Sequence, residues 1–214
     1  MTKGRPVKAK YRRLDNDRLD AAKKEFAELE KQGITRRSNS NWASPLHMVK
    51  KSDGTWRPCG DYRLLNLQTQ PDLYTCPNIA DLTARLEGCT IFSKLDLRKG
   101  FHQIPVRPRD VHKTAIITPF GLWEFIRMPF GLRNSGQSFQ RFMDEVLDGL
   151  DFCFVYADDV LIGSKSLEEH VLHVREVLTR LAEHGIVFNE EKCVLGVPEV
   201  QFLRHLHLRS AQAV

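Results

Sequence analysis

No stretch of the 214-residue chain approaches the roughly 20 consecutive apolar residues that a membrane-spanning helix needs. Its opening, Met1 to Lys10, is basic and has no apolar run, so neither a secretory leader nor a membrane partner is expected. The expected setting is intracellular, cytoplasmic or nuclear. Five cysteines (Cys59, Cys76, Cys89, Cys153 and Cys193) lie at wide, irregular intervals with no Cys-x-x-Cys pair. That excludes a zinc knuckle and a dithiol redox centre, and leaves reduced, mostly buried thiols. No glycine-rich phosphate loop, Ser-His-Asp set, internal repeat or low-complexity segment occurs. His170 and His173 stand three apart on a helical pattern, but no third ligand lies at suitable spacing, so they read as solvent-facing.

What is present is enough hydrophobic residue, 42%, for a packed core, in a length that suits one large domain or two small ones. The net charge of +5 is unevenly spread. Residues 1–37 carry twelve basic against six acidic side chains, residues 38–133 thirteen against eight, and residues 134–214 seven against thirteen. A basic front suits a polyanion and an acidic back suits metal ions. From charge alone, an ordinary solvated surface is the better reading.

Residues 1–13 read as a flexible basic arm. Leu19, Ala22, Phe26 and Leu29 recur at helical steps, predicting a helix from Asp17 to Lys31 that Gly33 ends. Asp53-Gly54 between two short runs predicts a hairpin that carries Lys50, Lys51 and Arg57 near its tip. A short helix is expected around 79–86, and strands at 90–97, 113–119 and 122–128. A helix over 134–149 follows, with Asn134 or Ser135 as N-cap. Asp158-Asp159 lies between two apolar runs, 152–157 and 160–163, as the bend of a second hairpin. Ser166-Leu167-Glu168-Glu169 is a capping box opening a helix to His184, and strands at 186–188 and 200–208 end the chain. This pattern predicts an α+β fold, with helices packed on one face of an antiparallel sheet.

Two adjacent carboxylates between apolar strands repel each other and are costly to desolvate, and a hard divalent cation such as Mg²⁺ or Mn²⁺ relieves both costs. Most Asp-Asp turns bind nothing, so the pair alone reads as a turn. Asp96, ending an apolar strand, changes this: if that strand lies beside the hairpin, Asp96, Asp158 and Asp159 share one rim. Three such carboxylates can hold two ions about 3.5–4 Å apart, the arrangement that serves in-line phosphoryl transfer.

Tyr156-Ala157-Asp158-Asp159 resembles the Tyr-x-Asp-Asp box of reverse transcriptases, and Phe92 to Ile104 is similar to the box carrying their first catalytic aspartate. Asn41 to Leu46, Trp56 to Asn66 and Met128 to Asn134 match in the same order. Together they resemble the polymerase of gypsy-type LTR retrotransposons, from about Arg13 to Leu206. The resemblance implies the fingers and palm of a right-hand polymerase: residues 14–89 mainly fingers, and 90–206 mainly palm, with 109–128 returning towards the fingers. Residues 207–214 would be a truncated tail, with thumb and ribonuclease H absent and other polyprotein domains missing. It also implies an RNA-directed DNA polymerase, a nucleotidyltransferase that joins a dNTP to a primer 3′-hydroxyl on an RNA or DNA template. Asp96, Asp158 and Asp159 would bind two Mg²⁺ (or Mn²⁺) ions with the Leu97 carbonyl. Lys51 and Arg57 would grip the triphosphate, Phe101 would crowd the sugar 2′ carbon, and Phe130 and Gly131 would floor the nucleotide site. Asp61 and Arg63 would contact template, while Tyr156, Phe202, Leu203 and Arg204 would lie at the template or primer. Lys192 falls near a lysine proposed to protonate the leaving pyrophosphate. Departures are Arg204 where the family usually has glycine, Tyr74-Thr75-Cys76-Pro77 for Tyr-Pro-x-Pro, and Ser135-Gly136 after Asn134. Two other readings stand beside this one: a non-catalytic retroelement fragment that at most binds nucleic acid, and a two-metal nuclease or nucleotide cyclase on a similar palm.

Overall fold

The computed structural model describes all residues except Met1, Ser52, Cys76, residues 79–81, Thr83, Ala157, residues 203–205 and residues 210–214. In chain order it has α1 (Asn16–Lys31), β1 (Thr35–Arg37), β2 (Ser44–Lys50), β3 (Trp56–Gly60), α2 (Arg63–Leu67), β4 (Ile91–Asp96), β5 (Ile116–Thr118) and β6 (Gly121–Phe125). There follow α3 (Ser135–Val146), β7 (Cys153–Tyr156), β8 (Asp159–Ser164), α4 (Leu167–Glu183), β9 (Val194–Val197), β10 (Glu199–Phe202) and β11 (Leu206–Arg209). The chain divides into two compact units: Met1–Asp72 with Phe101–Ser135, and Leu73–Gly100 with Gly136–Val214.

In the first unit, Asp15 caps α1 by accepting the Arg18 N–H at 2.9 Å, and the helix buries Ala22, Phe26 and Leu29. Phe26 packs against Phe120, Trp123 and Phe125, with ring centroids 5.7, 5.4 and 6.4 Å away. The sheet beneath runs β1-β6-β5-β2-β3, and β2–β5 is its parallel pair. The Asp-Gly hairpin forms as the sequence predicts, pairing Lys50 with Trp56. Asp53 accepts from the Thr55 amide and hydroxyl, and Gly54 takes the left-handed φ of 84° that the tip requires.

Residues 2–13 do not form a loose arm. Thr2 bridges Thr69, the Lys3 N–H donates to the Gln68 carbonyl, Lys8 bridges Ala43, and Val7 is buried in the core. The tie is made by backbone, which a side-chain pattern does not display. The expected strand over 113–119 begins only at Ile116, because Pro108 opens a 3₁₀ segment to Thr114. There the Thr114 hydroxyl donates to the Val111 carbonyl and accepts the Phe125 N–H.

In the second unit, β7-β8-β4-β9 form an antiparallel sheet, and β10-β11 form a hairpin. Leu82, Phe92, Phe154, Leu161, Val200 and Phe202 form a core cluster there. The strand expected over 200–208 is therefore two, β10 and β11. The strand expected over 186–188 is a single bridge, Phe188 to Leu97. β9 was not foreseen, since its residues are mainly exposed and show no alternation. Ser166 caps α4 by accepting the Glu169 N–H, as the capping box predicts.

The two histidines of α4 are not solvent-facing. His170 is 3% exposed and lies 2.7 Å from Ser93 Oγ and 2.8 Å from Ser164 Oγ. Ser93 Oγ accepts the Gly196 N–H at 3.0 Å, and Ser164 Oγ lies 2.9 Å from His173 Nδ1. A neutral His170 carrying its proton on Nδ1 satisfies this buried chain, and burial accordingly lowers its pKa. Phe152 stacks on His173 at 3.6 Å.

Candidate functional site

Register places the acidic residues of the second unit. β4 and β8 pair so that Asp96 lies directly opposite Asp159, while Tyr156 of β7 faces Asp159 from the other side. Directly opposed residues project from the same sheet face, with Cβ atoms about 4.5–5.5 Å apart. Asp158 precedes β8, and the Leu97 N–H donates to its carbonyl at 2.9 Å, so the turn after β4 is tied to the bend before β8. Leu97 also pairs with Phe188 through flanking bonds, Arg98 N–H to Val187 O and Asn189 N–H to Asp96 O, and this bridge does not use the Leu97 carbonyl. Lys99 continues the turn with a left-handed φ of 50°, a strained state for a non-glycine residue.

The backbones of Asp96, Asp158 and Asp159 are thus neighbours at one end of this sheet. The carboxylates do not yet form a cage: among the described residues no three metal-ligating side chains converge. Asp96 leans instead towards Lys192, with Oδ1 and Nζ 3.8 Å apart. Asp158 Oδ1 is buried without a hydrogen-bond partner. Burial, then the charges of Asp159 and Asp96, raise the Asp158 pKa; burial also raises that of Asp159, while Lys94 opposes the shift. A hard oxygen donor set with an orphaned buried carboxylate oxygen fits a divalent cation. Close by, Gly100 leaves room that no other residue would: a Cβ there would lie 2.5 Å from Asp158 Oδ1 and 3.1 Å from Phe139 Cζ. The sequence reading missed this role, although Gly100 lies inside the matched box.

The first unit gathers the residues matched to nucleotide contacts. Phe101 meets Phe130 edge to face at 5.0 Å, and the Arg57 guanidinium stands 5.8 Å from the Phe130 ring centre. Gly131 adopts φ 87°, and its carbonyl accepts from Asn66 Nδ2 at 2.8 Å. Asn66 Oδ1 accepts the Arg133 N–H, so this one side chain ties Gly131 to Arg133; in the sequence it stands only as the last letter of a box. Lys51 is exposed on the hairpin, and Trp56 packs under the Arg18 guanidinium at 4.5 Å. Trp42 and Trp123 are buried in the core of the first unit.

Asp61 is bound by two arginines, Arg63 at 2.7 Å and Arg12 at 2.6 Å, and the Arg63 hydrogen bonds foremost hold its carboxyl far below the usual range. Phe202 is fully buried, 6.4 Å from Phe154, so its side chain packs the core. Leu203 and Arg204 lie outside the described residues.

With this geometry established, a family model described as reverse transcriptase (RNA-dependent DNA polymerase) matches residues 49–205. The chain belongs to the reverse transcriptase family. It is 38% identical over 212 residues to the retrovirus-related Pol polyprotein from transposon 297 of Drosophila melanogaster, covering 96% of this chain and 20% of the relative. It is also 38% identical over 192 residues to the transposon Tf2-3 polyprotein of Schizosaccharomyces pombe, covering 89% of this chain and 14% of that one. The chain thus spans a fifth or less of the length of these relatives. Native prototype foamy virus protease-reverse transcriptase superposes with a TM-score of 0.88 at 25% identity, over 97% of this chain and 28% of that one. The foamy viral protease-reverse transcriptase in complex with RNA/DNA hybrid gives 0.88 at 24% identity, over 94% and 27%. The α+β polymerase fold expected from the sequence is the one found. Among the described residues, no helix is long and apolar enough to cross a membrane.

Proposed function

We propose that this chain is the polymerase portion of a retrotransposon polyprotein and transfers dNMP to a primer 3′-hydroxyl on an RNA or DNA template. The observation that carries the reading is the register of β4 on β8, which puts Asp96 opposite Asp159 with Asp158 adjoining. Asp96, Asp158, Asp159 and the Leu97 carbonyl would hold two Mg²⁺ or Mn²⁺ ions. Such ions, when bound, supply an activated hydroxyl nucleophile and neutralise the charge of the leaving pyrophosphate. The chain's own residues do the rest. Phe101 and Phe130, locked edge to face, shape the sugar and base site, and Gly131 lets backbone approach it. Lys51 and Arg57 offer fixed positive charge to a triphosphate, the kind of preorganised stabilisation worth most where charge develops. Asp61 orients Arg63 for the template, and Tyr156 and Phe202 support the primer end. In this assignment the second unit is mainly palm and the first mainly fingers.

Primer extension on a primed RNA template with Mg²⁺ tests it, with Asp158→Asn and Asp159→Asn as controls. Extension by the wild type that each substitution abolishes is expected. Salt-sensitive binding with no product would favour a non-catalytic fragment, and cleavage or cyclisation products would favour a nuclease or cyclase.

A further inference from the structure

The segment from Thr2 to Arg13 holds six cations (Lys3, Arg5, Lys8, Lys10, Arg12 and Arg13) and no carboxylate. All six side chains are exposed, and so is Tyr11, at 53%. A loose charged segment loses conformational entropy when binding orders it. Here the backbone is already held by the Lys3–Gln68 and Ala9–Ala43 hydrogen bonds and by buried Val7. Its cations are therefore presented with the ordering cost already met. The arm also runs into a second cationic feature. Arg12 shares Asp61 with Arg63, so two guanidiniums surround one carboxylate at a recess of about 320 Å³ that Pro45 and Leu64 complete.

We propose that this arm is a binding track for single-stranded nucleic acid, the unpaired part of a template, continuous with Arg63. Lys8, Lys10 and Arg13 take backbone phosphates, and Tyr11 stacks an unpaired base. The aromatic side chain is what selects a single strand: cations alone serve any polyanion, whereas a stacking platform needs a base free of its partner. The inference deepens the polymerase reading, since it assigns a further contact to the same substrate.

The test is fluorescence anisotropy of a labelled single-stranded RNA across a salt series, with primer extension measured on the same preparations. The triple variant Lys8→Gln/Lys10→Gln/Arg13→Gln is expected to reduce the slope of log K against log salt by about 2, since each phosphate contact on a single strand contributes about 0.7. Tyr11→Ala is expected to weaken binding about tenfold with the slope unchanged. Wild-type affinity and slope in the triple variant would overturn the track. Wild-type extension with unaltered variant binding removes the arm assignment alone. Binding that responds as expected, without wild-type extension, supports the track and removes the polymerase reading.

Discussion

The first unit carries 21 basic against 11 acidic side chains, and the second 11 against 16. The contrast extends to single residues. Asp61 sits between Arg12 and Arg63 with its pKa driven down, whereas Asp158 sits half-buried beside Asp159 with its pKa driven up. One carboxylate has been spent on holding structure together, and its companions have been left paired with each other. A fold gains nothing in stability from a buried carboxylate whose nearest charges are of its own sign. Such an arrangement persists where function requires it, which is the expectation for a cation site.

The largest expected effect breaks the acidic side of this contrast. Asp158→Asn should cut Mg²⁺-dependent extension a hundredfold or more, since losing several kcal/mol of transition-state stabilisation has that consequence. The same substitution should leave the melting temperature equal or a few degrees higher, because it removes an unpaired buried charge. A fall in both would make Asp158 structural, like Asp61. Gly100→Ala comes next: the added methyl group meets Asp158 Oδ1 and Phe139, so about 1–3 kcal/mol of stability and at least tenfold in extension should be lost. Thermal melts beside extension assays would check both.

His170→Gln sharpens the comparison by pH. Burial places the folded-state pKa of His170 below its ordinary 6.5, so the unfolded chain takes up a proton first as the medium is acidified. The stability of the wild type should be intact above about pH 6.5 and fall as pH drops through the folded value. The variant should be about 1–3 kcal/mol less stable at neutral pH, with a flatter acid limb in urea titrations. The smallest effect is on the basic side. Asp61→Asn should cost about 1 kcal/mol, since its arginine partners are largely exposed. Because the folded pKa of Asp61 is depressed, its contribution is present above the ordinary carboxylate range and vanishes as pH falls through the folded value. Wild-type and variant unfolding curves should therefore converge in acid.

Much of this was legible because the chemistry sits in local pattern. The Asp-Gly hairpin, the capping box at Ser166 and the Asp158-Asp159 bend are each written in a few consecutive residues. The three aspartates could be named in advance, but not their adjacency: nothing in residues 91–96 states that β8 is the neighbour. The carboxylate directions were also hidden, since Lys192 draws Asp96 aside across almost a hundred residues of chain. The docked arm stayed out of view because its ties are backbone bonds. The burial of His170 is not written locally, because its partners Ser93 and Ser164 lie on two different strands.

The proposed function requires that Asp96, Asp158 and Asp159 hold divalent cations. Its most direct test is Mn²⁺ binding followed by electron paramagnetic resonance, on the wild type and on Asp159→Asn. The wild type should sequester Mn²⁺, with Mg²⁺ competing it away, and Asp159→Asn should lose that binding while remaining folded. Equal Mn²⁺ binding by the two proteins would contradict the account.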